Sequence, residues 1–125
     1  MNSIQVAVPK RILLLGSGFV AKPLVDYLLR TPSYSITIAS NAKEEALELI
    51  QGTVNTNVVP LDVKNSKSLG DLVSQHDIVV SFVPATMHPL VAEQCLKFKK
   101  HMVTASYISP AMKSFHERYL DQIFE

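Results

Sequence analysis

Apolar and polar positions alternate along the chain in blocks whose period separates strands from helices. Arg11-Ile-Leu-Leu-Leu-Gly16 is a short apolar run closed by a glycine, the pattern of a buried strand entering a turn. Phe19 to Leu29 then places Val20, Leu24, Val25, Leu28 and Leu29 on one helical face, and the helix is expected to end at Arg30, before Thr31-Pro32-Ser33. Ser35-Ile-Thr-Ile-Ala39 alternates with β-branched residues and predicts a second strand, followed by a helix from Lys43 to Gln51 that Gly52 stops. Asn57-Val-Val-Pro-Leu61 reads as a third strand, and Pro60 suits an edge strand or a strand end, because proline donates nothing to a ladder. Asn65 or Ser66 is placed to cap a helix through Leu69, Leu72 and Val73. Asp77 to Val83 is a near-continuous apolar run, as expected of a strand covered on both faces, with Pro84 ending it. A helix from Pro89 to Phe98 is expected to bury Leu90, Val91, Cys95 and Leu96, and Met102-Val-Thr-Ala105 makes a fifth strand. Pro110 can open a last helix with an apolar stripe of Met112, Phe115, Tyr119 and Ile123.

Five strands alternating with helices predict a parallel sheet, since parallel neighbours need crossovers and helices supply them. The expected fold is a doubly wound α/β domain with strand order 3-2-1-4-5, helices on both faces and a crevice at the C-terminal ends of strands one and four. The polar candidates fall at that edge. They are Gly16 to Gly18 after strand one, Ser40-Asn41 after strand two, Asp62 after strand three, Ser81 to Thr86 after strand four, and Ser106-Tyr107 after strand five.

The first of these groups carries chemistry. Gly16-x-Gly18-x-x-Ala21 lies between a predicted strand and a predicted helix, the context of a Rossmann-like dinucleotide turn. A diphosphate must approach backbone N–H groups that a Cβ would obstruct. Gly16 makes the tight turn, Gly18 lets the backbone near the pyrophosphate, and Ala21 allows close helix–strand packing. The helix start adds unpaired donors and a positive dipole end. Without a ligand, the same residues would still serve a turn with positive φ.

Composition narrows the partners. At 125 residues the chain forms a single domain. The balance of 12 Lys+Arg against 11 Asp+Glu gives no electrostatic case for nucleic acid or a membrane surface, so a small-molecule ligand is expected. The single cysteine, Cys95, lacks CxxC or Cys/His ligand spacing and reads as a small buried hydrophobe, and no metal site is expected. His76, His101 and His116 are scattered, and His88, beside a helix start, suits a structural hydrogen bond better than proton transfer. No secretory or transit pattern is evident in Met1 to Lys10, and no apolar stretch reaches membrane-spanning length, which makes a cytoplasmic protein the default.

Three blocks together resemble one family. Leu13-Leu-Leu-Gly-Ser-Gly-Phe-Val-Ala-Lys-Pro23, Val83-Pro-Ala-Thr-Met-His-Pro-Leu90 and Val103-Thr-Ala-Ser-Tyr-Ile-Ser-Pro110 are similar to the glutamate-forming saccharopine dehydrogenases, or saccharopine reductases, over roughly Lys10 to Met112. The last block is more specific than the glycine turn. The resemblance implies an enzyme of lysine metabolism that interconverts saccharopine with L-glutamate and 2-aminoadipate 6-semialdehyde, passing a hydride to or from a nicotinamide. It implies that Gly16, Ser17, Gly18, Phe19 and Val20 bind the pyrophosphate, that Ser81, Val83 and Pro84 run along the cofactor, and that Asp62 lies at the adenosine end. Ser106 and Tyr107 are then substrate-binding, and no residue is assigned a catalytic role.

Two departures from the family qualify these expectations. The chain stops at Glu125, where the family continues into a substrate-binding domain. It therefore reads as a truncated, inactive nucleotide-binding portion, and apolar surface on the fifth strand and last helix favours a homodimer. A non-catalytic dinucleotide-sensing or interaction module is the alternative. After strand two stand Ser40-Asn41, neither the acid that takes both ribose hydroxyls nor the arginine that fungal members set against a 2′-phosphate. Asn41 suits a ribose contact or a cap on the following helix, Lys43 can attract a phosphate, and NAD and NADP both stay open. An animal source implies a mitochondrial location instead of a cytoplasmic one.

Overall fold

A computed structural model describes residues 10–16 and 21–104 of the chain. Its elements are β1 (Lys10–Leu15), α1 (Ala21–Leu28), β2 (Tyr34–Ser40), α2 (Lys43–Leu49), β3 (Thr56–Pro60), α3 (Ser66–Ser74), β4 (Ile78–Ser81), a 3-10 turn (Ala85–Met87), α4 (His88–Phe98) and β5 (His101–Thr104). The five strands form one parallel sheet in the order β3-β2-β1-β4-β5. This is the doubly wound, Rossmann-like arrangement that the alternation predicts. The expected last helix and the strand residue Ala105 lie outside the described residues.

The period of two along β1 explains the two layers. Ile12 and Leu14 point to one face, where they join Ile36 and Ile38 of β2, Ala21 and Val25 of α1, and Ala46 and Leu49 of α2. Leu13 and Leu15 point to the other, against Leu69 and Val73 of α3, Val79 of β4, and Val91 and Cys95 of α4. Because both faces are covered, β1 needs apolar residues at every position from Ile12 to Leu15, all of them buried. The central strand thus fixes the C-terminal edge at which the candidate site residues lie.

The edge and the caps follow the local chemistry. β3 is a sheet edge, and Pro60 is its last residue, in register with Ser40. Asn65 caps α3, its side chain accepting from the Ser68 N–H at 3.1 Å. α2 ends at Leu49, and the chain turns at Gly52 with φ +78°, a conformation glycine adopts without strain.

Three expectations require correction. β4 stops at Ser81, not Val83. Its ladder with β1 runs from Ile78 to Ser81 and ends where β1 turns at Gly16. Leu90 is exposed, because the buried stripe of α4 runs His88, Val91, Ala92, Cys95 and Leu96 and leaves position 90 off that face. The α2 N-cap is Ala42 and carries no side-chain cap bond, so Asn41 does not cap that helix.

Candidate functional site

The C-terminal ends of the first four strands converge through backbone contacts. The Gly16 N–H donates to the Ala39 carbonyl at 3.0 Å, the Leu61 N–H to the Ser40 carbonyl at 3.1 Å, and the Phe82 N–H to the Leu15 carbonyl at 2.8 Å. Gly16, Ser40, Asn41, Asp62, Ser81, Val83 and Pro84 are thereby brought to one edge. Ser17, Gly18, Phe19 and Val20, together with Ser106 and Tyr107, lie outside the described residues.

Gly16 adopts φ +100°, and a Cβ there would stand 3.2 Å from the Phe82 carbonyl oxygen and 3.3 Å from its carbon. The fold itself therefore demands glycine at this position, with or without a ligand: β1 turns where the chain leaving β4 passes close by. That contact lies between the C-terminal ends of β1 and β4.

After β2 the chain makes a side-chain-stabilised turn. The Ser40 hydroxyl accepts from the Ala42 N–H at 2.9 Å, and Ser40 is buried. Asn41 and Lys43 are exposed on the outer side of this turn, and the next carboxylate is Glu44. The exposed amide and ammonium are donors suited to a phosphate or a hydroxyl, and the exposed carboxylates Glu44 and Glu45 in the first turn of α2 border them.

Asp62 has a turn-forming job. Its Oδ1 accepts from the Lys64 N–H at 3.0 Å, and its carbonyl accepts from the Asn65 N–H at 2.9 Å. The carboxylate is otherwise exposed. Beyond β4, Ser81 is fully buried, and its hydroxyl lies 3.0 Å from His88 Nδ1. Val83 is half-buried and Pro84 exposed, so the loop after β4 presents small apolar surface at the C-terminal edge of the sheet. The sequence suggested a structural hydrogen bond for His88 but did not identify its partner, which is seven residues away.

Burial sets the titration of three groups. Desolvation lowers His88 and also His76. For His76, the nearby Arg11 and Lys100 add to the lowering, while Asp77 and the bond to Leu72 oppose it. That bond is 2.6 Å long and fixes the tautomer, because a carbonyl can only accept and Nδ1 must carry the hydrogen. Burial pushes the Cys95 thiol up to about 12, so it stays protonated and is no nucleophile. Among the described residues no group of three or more His, Cys, Asp and Glu is placed to hold a metal ion. Among the same residues no helix is long and apolar enough to cross a membrane.

The two buried histidines predict an acid-side loss of stability. Their folded values lie below the ordinary 6.5, so the unfolded chain takes up protons first. Their contribution is complete above that value and is lost as pH falls through the folded values. Thermal melts should give a Tm that is level from pH 7.5 to about 6.5 and falls from there to pH 5.5; a flat or rising profile below 6.5 would contradict this account.

The chain matches the family described as saccharopine dehydrogenase NADP binding domain over residues 12–122. It is 41% identical over 121 residues to the mitochondrial alpha-aminoadipic semialdehyde synthase of Bos taurus, covering 96% of this chain and 13% of that protein. It is 41% identical over 106 residues to the NADP(+), L-glutamate-forming saccharopine dehydrogenase of Schizosaccharomyces pombe, covering 85% of this chain and 24% of that protein. The fold superimposes on apo saccharopine dehydrogenase (L-Glu forming) from Saccharomyces cerevisiae with a TM-score of 0.81 at 35% identity, over 87% of this chain and 24% of that one. The chain thus spans between 13% and 24% of the length of these relatives.

Proposed function

The chain belongs to the saccharopine dehydrogenase NADP-binding-domain family, and on that premise we propose that it holds NADP along the C-terminal edge of its sheet, for hydride exchange with saccharopine in the whole protein. The residues at that edge fit the group: a glycine turn, exposed donors after β2 and a small apolar loop after β4. When bound, the cofactor supplies the hydride acceptor or donor; the protein contributes position and electrostatics.

The turn from Gly16 through Ser17, Gly18, Phe19 and Val20 offers backbone N–H groups to the pyrophosphate, as its glycine spacing suggests. Val83 and Pro84 flank the nicotinamide half, Ser81 supports that loop from beneath, and Asp62 faces the adenosine with the carboxylate edge that Lys64 does not use. Ser106 and Tyr107 contact saccharopine, whose oxidation at the secondary amine and hydrolysis by water give L-glutamate and 2-aminoadipate 6-semialdehyde. Because the chain spans at most 24% of these relatives, the 125 residues alone are expected to bind without turnover.

Preference for NADP over NAD is carried by the corner after β2. Ser40 turns its hydroxyl back onto Ala42, and Asn41 and Lys43 are the exposed donors nearest the strand end, ahead of the exposed carboxylates Glu44 and Glu45 of α2. Lys43 attracts the phosphate as a point charge and Asn41 donates to it, replacing an arginine fork. Calorimetric titration with NADPH and NADH should show tighter binding of NADPH. Lys43→Glu should weaken NADPH by about tenfold or more while sparing NADH, the scale of one charge-assisted hydrogen bond. Equal affinities in the parent chain would refute the NADP preference, and no binding of either by the folded chain would favour a purely interaction-based role.

A further inference from the structure

Ser81 ends β4, His88 opens α4, and their side chains meet across the loop between them. Ser81 Oγ and His88 Nδ1 are 3.0 Å apart, and the two residues are 0% and 2% exposed. Only Phe82-Val83-Pro84-Ala85-Thr86-Met87 separate them, so this one bond closes the loop at its root. The rest of the loop is held by backbone hydrogen bonds and by the packing of Phe82 and Val83 against the core. The Met87 N–H donates to the Pro84 carbonyl at 2.8 Å, the His88 N–H donates to the Ala85 carbonyl, and the Phe82 N–H is held by Leu15. Pro84, Ala85 and Thr86 are exposed beyond that root.

A nucleophilic serine–histidine pair is excluded by burial, since neither residue has surface to offer a substrate. A purely space-filling role is a poor account as well. The flanking positions Val79, Val80, Val91 and Ala92 are all buried apolar residues, and another such pair would fill this place without desolvating a hydroxyl and an imidazole. What the polar pair adds is direction: one distance and one angle between the end of a strand and the start of a helix. Burial keeps His88 neutral, so its ring can accept from or donate to the serine hydroxyl without burying a charge.

We propose that His88 is a positioning residue, whose bond to Ser81 fixes the 82–87 loop in the shape that lies against the dinucleotide. The ligand in this inference is that of the function proposed above. The tie between strand and helix is a property of the free chain, so loop order and ligand affinity can be read separately.

The test uses the 125-residue chain with Ser81→Ala, His88→Leu and His88→Asn. Amide hydrogen exchange is measured without ligand, and NADPH is titrated separately. Ser81→Ala and His88→Leu should speed exchange at the Met87 and His88 amides about tenfold, with β1 and β2 amides unchanged. Both should weaken NADPH about tenfold, equivalent to about 1.4 kcal/mol. His88→Asn carries an amide within the reach of Nδ1 and should recover most of both effects, which a space-filling role does not predict. Parent-like exchange and affinity in Ser81→Ala and His88→Leu would overturn the proposal. So would exchange that rises equally across the sheet. If the parent chain takes up no NADPH, the proposed function fails and the ligand half of this inference with it, while the Met87 and His88 amides still decide whether the pair orders the loop.

Discussion

Gly16→Val is expected to remove about 3 kcal/mol of folding stability, in addition to any loss of cofactor binding. Two causes combine. The backbone holds φ +100°, where a β-branched residue is strained, and the new Cβ would press on the Phe82 carbonyl at 3.2 Å. Gly52→Ala separates these causes, since Gly52 shares a positive φ of +78° but has nothing within 4 Å of a built Cβ. It should cost only the conformational part, about 1 kcal/mol. Urea denaturation of both variants checks the pair of values, and equal losses would mean that the approach of Phe82 contributes nothing.

Leu13→Ala should be comparably severe, at about 2–5 kcal/mol. Leu13 is 0% exposed in the central strand and packs in the cluster formed with Leu69, Val73, Val79, Val91 and Cys95. The rigid strand cannot close over the void because both its neighbours are paired to it. Domains of this size hold only about 5–15 kcal/mol in total, so the variant is expected to be marginal at 37 °C. A urea midpoint within error of the parent would show that α3 and α4 relax into the space.

These two positions also mark how much of the fold was legible in the sequence. The apolar run Ile12 to Leu15 announced a strand covered on both faces, and the alternation of strands and helices predicted the order 3-2-1-4-5. Both are consequences of period and connection length, which a sequence carries. The length of β4 was not legible, because Phe82 and Val83 are as apolar as the strand before them. The ladder with β1 ends where β1 turns at Gly16, a fact about a neighbour. Leu90 was misread by hydrophobicity alone, although the spacing of His88, Val91, Ala92 and Cys95 already traced the buried face once the histidine is admitted to it.

The candidate site divides along the same line. The glycine turn and the polar residues after each strand were legible, since a parallel sheet brings all its C-terminal ends to one edge. The uses of individual side chains were not. Ser40 turns inward to Ala42, Asp62 holds Lys64, and Ser81 meets His88, each bond depending on a local geometry that composition does not specify. These commitments leave Asn41 and Lys43 exposed at the edge.

The central claim is that a nicotinamide dinucleotide binds across this edge, and amide chemical-shift mapping of the 125-residue chain during NADPH titration tests it most directly. The account predicts shifts grouped at Gly16, Asn41, Ala42, Lys43 and Val83, with Asp77 and His101 at the opposite edge unmoved. Shifts centred on Asp77 and His101, or none from a folded sample at millimolar NADPH, would contradict it.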